Sequence, residues 1–378
     1  MIRNADTTWI ADRAKSLGFD RCGVVRAENF PELERMPEWL AKGYSGEMHY
    51  LADPRRGDPQ RTMPGARSVI ACLLNYNTSL PLSTDSAARQ GDGDPRGWIS
   101  RYAWGGDYHE VLLVRLNKLV DFLRERFQGP FAARAYVDTG PLQERVLAKH
   151  AGLGWLGKNT LLLNEKLGSF FFLGVILTTL DLEPTLAAGE LPPQDLCGNC
   201  RQCLDACPTQ AFAEPYVLDG RKCISYLTIE LRGSIPEEFR EPMSQHVFGC
   251  DICQDVCPWN QRAPDTAIEE FQPRVLPVPP IMPTQGSLPS AGESLFFPRL
   301  EWLASLSEAE FREAFRASPI KRTKWRGLVR NACIALGNSG LRRSSATHAR
   351  IIQLLERLSS STEETISESA QWALSRIQ

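Results

Sequence analysis

Cys197-Gly198-Asn199-Cys200-Arg201-Gln202-Cys203-Leu204-Asp205-Ala206-Cys207-Pro208 spaces four thiols as x2, x2 and x3 and closes them with a proline. This is the full run by which bacterial ferredoxins hold [4Fe–4S] clusters. The x2 steps let successive thiolates reach three corners of a cube, and the proline turns the chain away. A second stretch, Cys250-Asp251-Ile252-Cys253-Gln254-Asp255-Val256-Cys257-Pro258, is one ligand short of the same run, and Cys223 lies between the two to complete it. In two-cluster ferredoxins the cysteine before the proline ligates the other cluster. The expected sets are therefore Cys197, Cys200, Cys203 and Cys257 for one cluster, and Cys207, Cys223, Cys250 and Cys253 for the other. Two zinc sites are the alternative, but zinc ribbons rarely carry a third cysteine at x2 followed by x3-Cys-Pro. Of eleven cysteines, Cys22, Cys72 and Cys333 remain; they fall in apolar surroundings and read as packing residues.

Outward from this core, 378 residues are too many for one ordinary domain, and 43% hydrophobic with 23% charged content suits a globular protein. A formal net charge of −2 gives no overall sign of a nucleic-acid binder, though a balanced sum can hide a local basic patch. The N-terminus lacks a secretory core or twin-arginine pair, and the longest apolar run, Phe170–Leu180, is too short to span a bilayer. The expectation is a cytoplasmic protein without a membrane segment, where clustered cysteines mean metal.

Before the cysteines, helical and strand-like periods alternate. A short helix carries Trp9, Ala14 and Leu17, and strands are expected at Cys22–Val25, Ser68–Tyr76, Phe131–Val137, Asn159–Leu163 and Phe170–Thr178. A long helix opens near Asp107, with Leu112, Leu116, Leu119, Val120, Leu123 and Phe127 on one face, and another runs Pro141–Ala151. This pattern predicts an α/β domain with a buried sheet. Residues 83–97 read as an exposed loop. From Gln272 to Pro298 the prolines 273, 277, 279, 280, 283, 289 and 298 mark a linker. Beyond it, helices are expected at Ser307–Ala317, Lys324–Leu336, Ala346–Leu358 and Thr362–Ile377, resembling a short helical-repeat module.

Four weaker signals lie outside the cysteines. Gly152-x-Gly154-x-x-Gly157 matches the dinucleotide fingerprint in letters only: a helix precedes it and a strand follows, so it reads as a helix C-cap and turn. Asp138 ends a strand before Thr139-Gly140-Pro141. Pro141 suits the first helical position with Gly140 as N-cap, leaving the Asp138 carboxylate free for a ligand at the strand end, or for an Asx-turn. Ser100-Arg101-Tyr102 and Lys158-Asn159 sit between apolar segments and are candidates for a pocket lining. Lys321, Arg322, Lys324, Arg326 and Arg330 fall within ten residues without an acidic neighbour, and Arg322, Arg326 and Arg330 share a helical face. Such a stripe suits a phosphate backbone; the alternative is an ordinary solvated face.

Taken together these residues resemble the epoxyqueuosine reductase family. The likeness is carried by Pro64–Ile70, Ser100-Arg101-Tyr102-Ala103-Trp104-Gly105, Asp107-Tyr108-His109, Asp138-Thr139-Gly140-Pro141 and Ala151–Thr160. The cysteine pattern, Ser318-Pro319-Ile320-Lys321-Arg322, Arg330-Asn331 and Ala335-Leu336-Gly337-Asn338 extend it over nearly the whole chain. The resemblance implies an α/β cobalamin-binding catalytic domain (1–185), a ferredoxin-like domain with two [4Fe–4S] clusters (186–270) and a proline-rich linker (271–300). A C-terminal α-helical HEAT-like domain (301–378) completes it.

It further implies reduction of epoxyqueuosine in the anticodon loop of tRNA to queuosine, with electrons passing through the clusters to cobalamin and Asp138 as proton donor. That role asks for a raised pKa, expected from burial. By the same resemblance Arg61, Ser100, Arg101, Asp138, Lys158, Asn159, Ser169, Ser225 and Asp251 line the cobalamin, with Ser100 standing where some members carry cysteine. The chain has no Asp-x-His-x-x-Gly motif of histidine-ligated cobalt, which agrees with the family's mode. Lys321, Arg322, Lys324, Arg326, Arg330 and Asn331 are the implied tRNA contacts. The expected partners are tRNA and an electron donor that the sequence does not identify, and the expected state is a monomer. A reductive dehalogenase-like small-molecule reductase and a non-catalytic iron–sulfur electron carrier are the competing readings.

Overall fold

The structure, a computed structural model, describes residues 4–85, 93–277, 292–341, 343 and 345–377. Helix α1 (Asn4–Ser16) leads into strand β1 (Arg21–Arg26), followed by β2 (Ser68–Asn75), α2 (Tyr108–Arg126), β3 (Ala133–Tyr136), α3 (Glu144–His150) and β4 (Phe171–Thr178). The strands form one sheet in the order β1-β2-β4-β3. Val24 faces Ile70, Ala71 faces Val175, and Val175 in turn faces Tyr136.

Every pairing in this sheet is antiparallel. The strand-end reading of Asp138 leans on a rule for open, mostly parallel α/β sheets. The sheet is not of that kind, so the parallel-sheet rule does not place Asp138. Helices nonetheless cover both faces. Ile10, Ala14, Leu112 and Leu116 pack on Ile70, Cys72 and Ile176, while Val146, Leu147 and Ala148 of α3 pack on Val69, Ala71 and Val175. Strand β2 is buried along its whole length for that reason. Asp107 caps α2, accepting from the His109 amide at 3.2 Å.

Helix α3 begins at Glu144, three residues beyond the expected Pro141, so Gly140 is not its N-cap. The intervening loop instead puts Asp138 at φ +52°, a left-handed conformation that Asp tolerates better than most residues. After α3, Gly152 (φ +79°) ends the helix, as the reading of a C-cap and turn expected. Gly154 then passes so close to the following hairpin that an added Cβ would lie 2.0 Å from the Leu163 carbonyl oxygen. The expected strand Asn159–Leu163 is only the two-residue pairing of Trp155–Leu156 with Leu162–Leu163.

Among the short helices of the cysteine region are α4 (Gln202–Asp205), α5 (Ile224–Ile229) and α6 (Ile252–Asp255), with α4 packed against α6. The C-terminal part holds α7 (Leu300–Ser305), α8 (Glu308–Ala314), α9 (Lys324–Gly337), α10 (Ala346–Ser359) and α11 (Glu364–Ile377). A capping box between Ser307 and Glu310 starts α8. Helix α9 is central: every residue from Gly327 to Gly337 is buried.

Two expectations change here. The helical part has no separate core, because Leu328, Ala332 and Leu336 share one with Trp98, Ile99, Trp104, Val247 and Phe248 from earlier in the chain. The ends of the proline-rich segment are also built in. Leu276, Leu295 and Phe297 are buried, and Val275–Leu276 pairs with Glu293–Ser294. Prolines 279, 280, 283 and 289 lie outside the described residues, as do residues 86–92 of the expected exposed loop; Ser83, at its start, is buried against Asp255.

Candidate active site

The buried thiols of this region crowd together in groupings compatible with the two expected sets. Burial, then the charges of Cys257, Cys197 and Cys200, push the Cys203 thiol up to about 11. Burial and the charges of Cys253 and Cys223 push Cys250 well up. Cys253 feels Cys223, Cys203 and Cys207, so the two sets adjoin where α4 meets α6. These shifts describe bare thiols crowded together; iron would take them as thiolates and remove the repulsion. Eight thiols, with a third cysteine at x2 and then x3-Cys-Pro, are a donor set whose chemistry fits two [4Fe–4S] clusters. The Ala211 amide already donates to Cys207 Sγ at 3.3 Å. Cys200 is exposed and Cys257 buried, which puts the first set at the surface.

Lys158 and Asn159 hold this region rather than facing a pocket. Lys158 Nζ donates to the carbonyls of Gly198 and Cys200 at 2.6 and 2.9 Å, and Asn159 Nδ2 to that of Cys253 at 3.3 Å. Ser100 Oγ donates to Asp251, which also accepts from the Arg101 amide at 2.7 Å and Trp98 Nε1 at 3.1 Å. The Arg101 guanidinium is buried on the carbonyls of Thr78, Leu80 and Pro81. Ser169 bonds Asn260 and Gln254. Ser225 lies beside the Cys223 thiol. Arg61 is at the surface, 3.7 Å from Asp58.

A short path of contacts joins the second cysteine set to Asp138. Gly249, next to Cys250, packs on Ser100 and Tyr102; the Tyr102 ring meets Tyr108 edge-on at 5.9 Å; and Tyr108 Oη donates to Asp138 Oδ2 at 2.9 Å. Tyr108 is held by stacking on Phe172, 4.3 Å away. His109 Nε2 lies 3.5 Å from the same Asp138 oxygen, an ion-pair contact longer than a good hydrogen bond. His109 Nδ1 is 2.7 Å from Asp107 Oδ1, and Lys321 Nζ is 2.6 Å from Asp107 Oδ2.

This geometry reverses the expected protonation. Desolvation favours a neutral Asp138, but the contacts with His109 and Tyr108 outweigh it and the pKa is lowered. Desolvation likewise opposes charge on His109, yet Asp107 and Asp138 win and raise it to about 9. At neutral pH the proton therefore resides on His109 and Asp138 is an anion. The carboxyl raised by burial is instead Glu144, at about 8, with Oε1 buried and no hydrogen-bond partner among the described residues. His109 and Glu144 were missed as site residues. The only signal for His109 was the Asp107-Tyr108-His109 triplet at a helix start.

Asp138 is 67% exposed at its side chain, yet surrounding protein desolvates it strongly, and Arg145 shows the same pairing of exposure and desolvation. The Asp138 carboxylate is thus open to solvent and linked to Cys250 through Gly249, Tyr102 and Tyr108, so a planar cofactor such as a corrin would meet it from the open side.

The basic segment is folded differently from its expected role. Arg330 (1% exposed) donates to the carbonyls of Leu227, Leu231 and Gly233, and Asn331 (0%) to those of Thr228 and Val247. Both tie α9 to the cysteine region and do not reach a phosphate. Arg322 pairs with Glu230 at 2.8 Å and Arg326 with Glu363 at 2.7 Å, while Lys324 is exposed. The acidic neighbours absent from the local sequence arrive from other segments.

Comparison with known proteins follows the same lines. The family model "Epoxyqueuosine reductase QueG, DUF1730" matches residues 56–139, and the "4Fe-4S double cluster binding domain" matches 196–260. An epoxyqueuosine reductase of Gloeobacter violaceus is 44% identical over 339 residues, covering 88% of this chain and 96% of the relative. One from Pseudomonas aeruginosa is 38% identical over 370 residues, covering 97% and 93%. A solved epoxyqueuosine reductase bound to an epoxyqueuosine-modified tRNA-Tyr stem loop superposes with TM-score 0.81 at 30% identity, covering 99% of this chain and 90% of that one. A Bacillus subtilis structure, with its catalytic aspartate loop swung out of the active site, gives 0.79 at 29% identity, again covering 99% and 90%. With the double-cluster cysteines, the Asp138–His109–Tyr108 group and relatives matched along nearly the full length, the chain belongs to the epoxyqueuosine reductase family.

Proposed function

We propose that this chain reduces epoxyqueuosine in the anticodon loop of tRNA to queuosine, the last step in making that nucleoside. The observation that carries it is the Asp138–His109–Tyr108 group, with the Asp138 carboxylate exposed and the Tyr102 ring between Tyr108 and the second cysteine set. A relative covering 99% of this chain and holding an epoxyqueuosine-modified stem loop supports the substrate.

Turning an epoxide into an alkene and water consumes two electrons and two protons. Clusters held by the two cysteine sets would carry the electrons, with the exposed Cys200 side accessible to a donor. Cobalamin, when bound beside Asp138, would supply the strongly reducing centre at the epoxide. The chain supplies the proton path. His109 stores a proton held by Asp107 and passes it through Asp138 to the oxygen as the C–O bond opens, and the same path, refilled from solvent, supplies the second proton with which that oxygen leaves as water. Asp138 thus stays the proton donor, recharged by His109 and not protonated in advance.

Arg61, Ser169 and Ser225 remain cofactor-lining positions in this reading. Ser100, Arg101, Lys158, Asn159 and Asp251 act by fixing the walls and the cluster loops. Residues 1–185 carry the cofactor, 186–270 the clusters, and 301–378, HEAT-like, the tRNA grip, joined by 271–300. Lys321, Arg322, Lys324 and Arg326 face the RNA. The protein works in the cytoplasm as a monomer.

The test is anaerobic turnover of epoxyqueuosine-containing tRNA with a chemical reductant and added cobalamin, read by nucleoside mass. Queuosine should form with wild-type protein. No queuosine from protein loaded with both clusters and corrin would remove this function.

A further inference from the structure

Tyr50 lies in a short turn, His49–Ala52, and its ring is 44% exposed. The ring is flanked by two guanidinium groups, Arg56 at 5.5 Å and Arg322 at 5.4 Å from its centroid. One comes from the N-terminal part of the chain and the other from the segment leading into α9. Both are held in place. Arg56 Nε donates to the Tyr50 carbonyl at 3.2 Å and its Nη1 to the Leu142 carbonyl at 3.4 Å, fastening the tyrosine turn to the loop that follows Asp138. Arg322 sits on Glu230 through contacts of 3.0, 3.2 and 2.8 Å. The phenol also feels the charge of Asp138, which agrees with the tie from Arg56 to the Leu142 carbonyl in the loop after Asp138.

A ring used only for packing would be buried; this one is pinned by cations and left open. We infer that Tyr50 is a stacking platform for a loop base next to the reacting nucleotide, with Arg56 and Arg322 beside it for the flanking phosphates. Unstacked bases are commonly received on aromatic faces with arginine at the backbone, and a ring fixed in advance loses little freedom on binding. A small uncharged substrate would give the cationic rim no purpose. The inference rests on the tRNA reading above and adds where the RNA is gripped.

The probe is an epoxyqueuosine-modified tRNA stem loop, bound to the cluster-loaded, corrin-loaded protein at several salt concentrations. Tyr50→Phe should bind within about twofold of wild type, and Tyr50→Leu should bind roughly 5- to 150-fold more weakly, the range for one lost base stack. The Leu variant should keep the wild-type salt slope, since it removes no cation, whereas Arg322→Gln should flatten it. A 2-aminopurine in the loop beside the modified base should dim on binding to wild type and stay bright with the Leu variant. Equal binding by wild type and a folded, iron-replete Leu variant overturns the platform alone. So does a wild-type complex that leaves 2-aminopurine bright at every loop position, even where the variants misfold. Wild-type protein that does not hold the stem loop overturns the tRNA reading and the platform with it.

Discussion

The cysteine region and the basic segment both stand out by spacing, yet only one folds into what its spacing announces. Between Cys197 and Cys257 the thiols crowd close enough to feel one another's charge, in keeping with the x2 and x3 steps. Between Lys321 and Asn331 the same kind of reading puts Arg330 on an RNA face, and the structure buries it against three backbone carbonyls. A thiol that must reach iron has few alternatives. A guanidinium has many, because any carbonyl or carboxylate brought near by the fold will satisfy it. Sequence spacing is therefore a strong guide to ligands and a weak one to charges.

The sharpest test of the first half is Cys253→Ala. It should cut iron from about eight to about four per chain and abolish turnover; unchanged iron would dissolve the assignment of Cys253 as a ligand. Next in size is the proton path. Asp138→Asn should lower kcat by about 10²- to 10⁴-fold with iron and corrin content intact. His109→Gln should lower it less and alter the pH profile. His109 is raised from 6.5 to about 9, so wild-type turnover should hold from neutrality and decline as pH rises through about 9. The stabilisation from that charged histidine runs the same way, fully present below about 6.5 and lost through about 9. A wild-type profile without a limb near 9, or the same limb in His109→Gln, would remove His109 from the path.

For the basic segment the effects are smaller and move to stability. Arg330→Met leaves three buried carbonyls without their donor and should cost about 3 kcal/mol or more in urea unfolding, with RNA affinity of the folded fraction unchanged. Weakened RNA binding without loss of stability would restore Arg330 to the interface. Smallest of all, Lys324→Gln should reduce the salt slope of tRNA binding by about one unit if it meets one phosphate. An unchanged slope would leave Lys324 as plain solvated surface.

Much of the fold was legible. The buried stripe Leu112–Leu123 and the strands Ser68–Asn75 and Phe171–Thr178 follow directly from their periods. Strand direction was not, because buried strands read as apolar runs whether parallel or antiparallel. At the site, Asp138 could be found as a strand-end carboxylate, but its protonation could not. That depends on His109, which a separate helix start aims at it, and on Asp107 behind His109. The inward turn of Arg330 was equally invisible, since its acceptors lie about a hundred residues earlier, at Leu227, Leu231 and Gly233.

The shared core of the C-terminal helices has a consequence for how this chain can be divided. Trp98, Trp104 and Phe248 share one core with Phe296, Phe297 and the apolar faces of α7 and α9. A chain ending before Leu300 would strip the helical side from that core and weaken the backing of the segment carrying Ser100 and Arg101. The helical tail is thus not a detachable cargo hook. Grafting it elsewhere, or trimming it away, should disturb the Ser100–Asp251 junction before any RNA is presented.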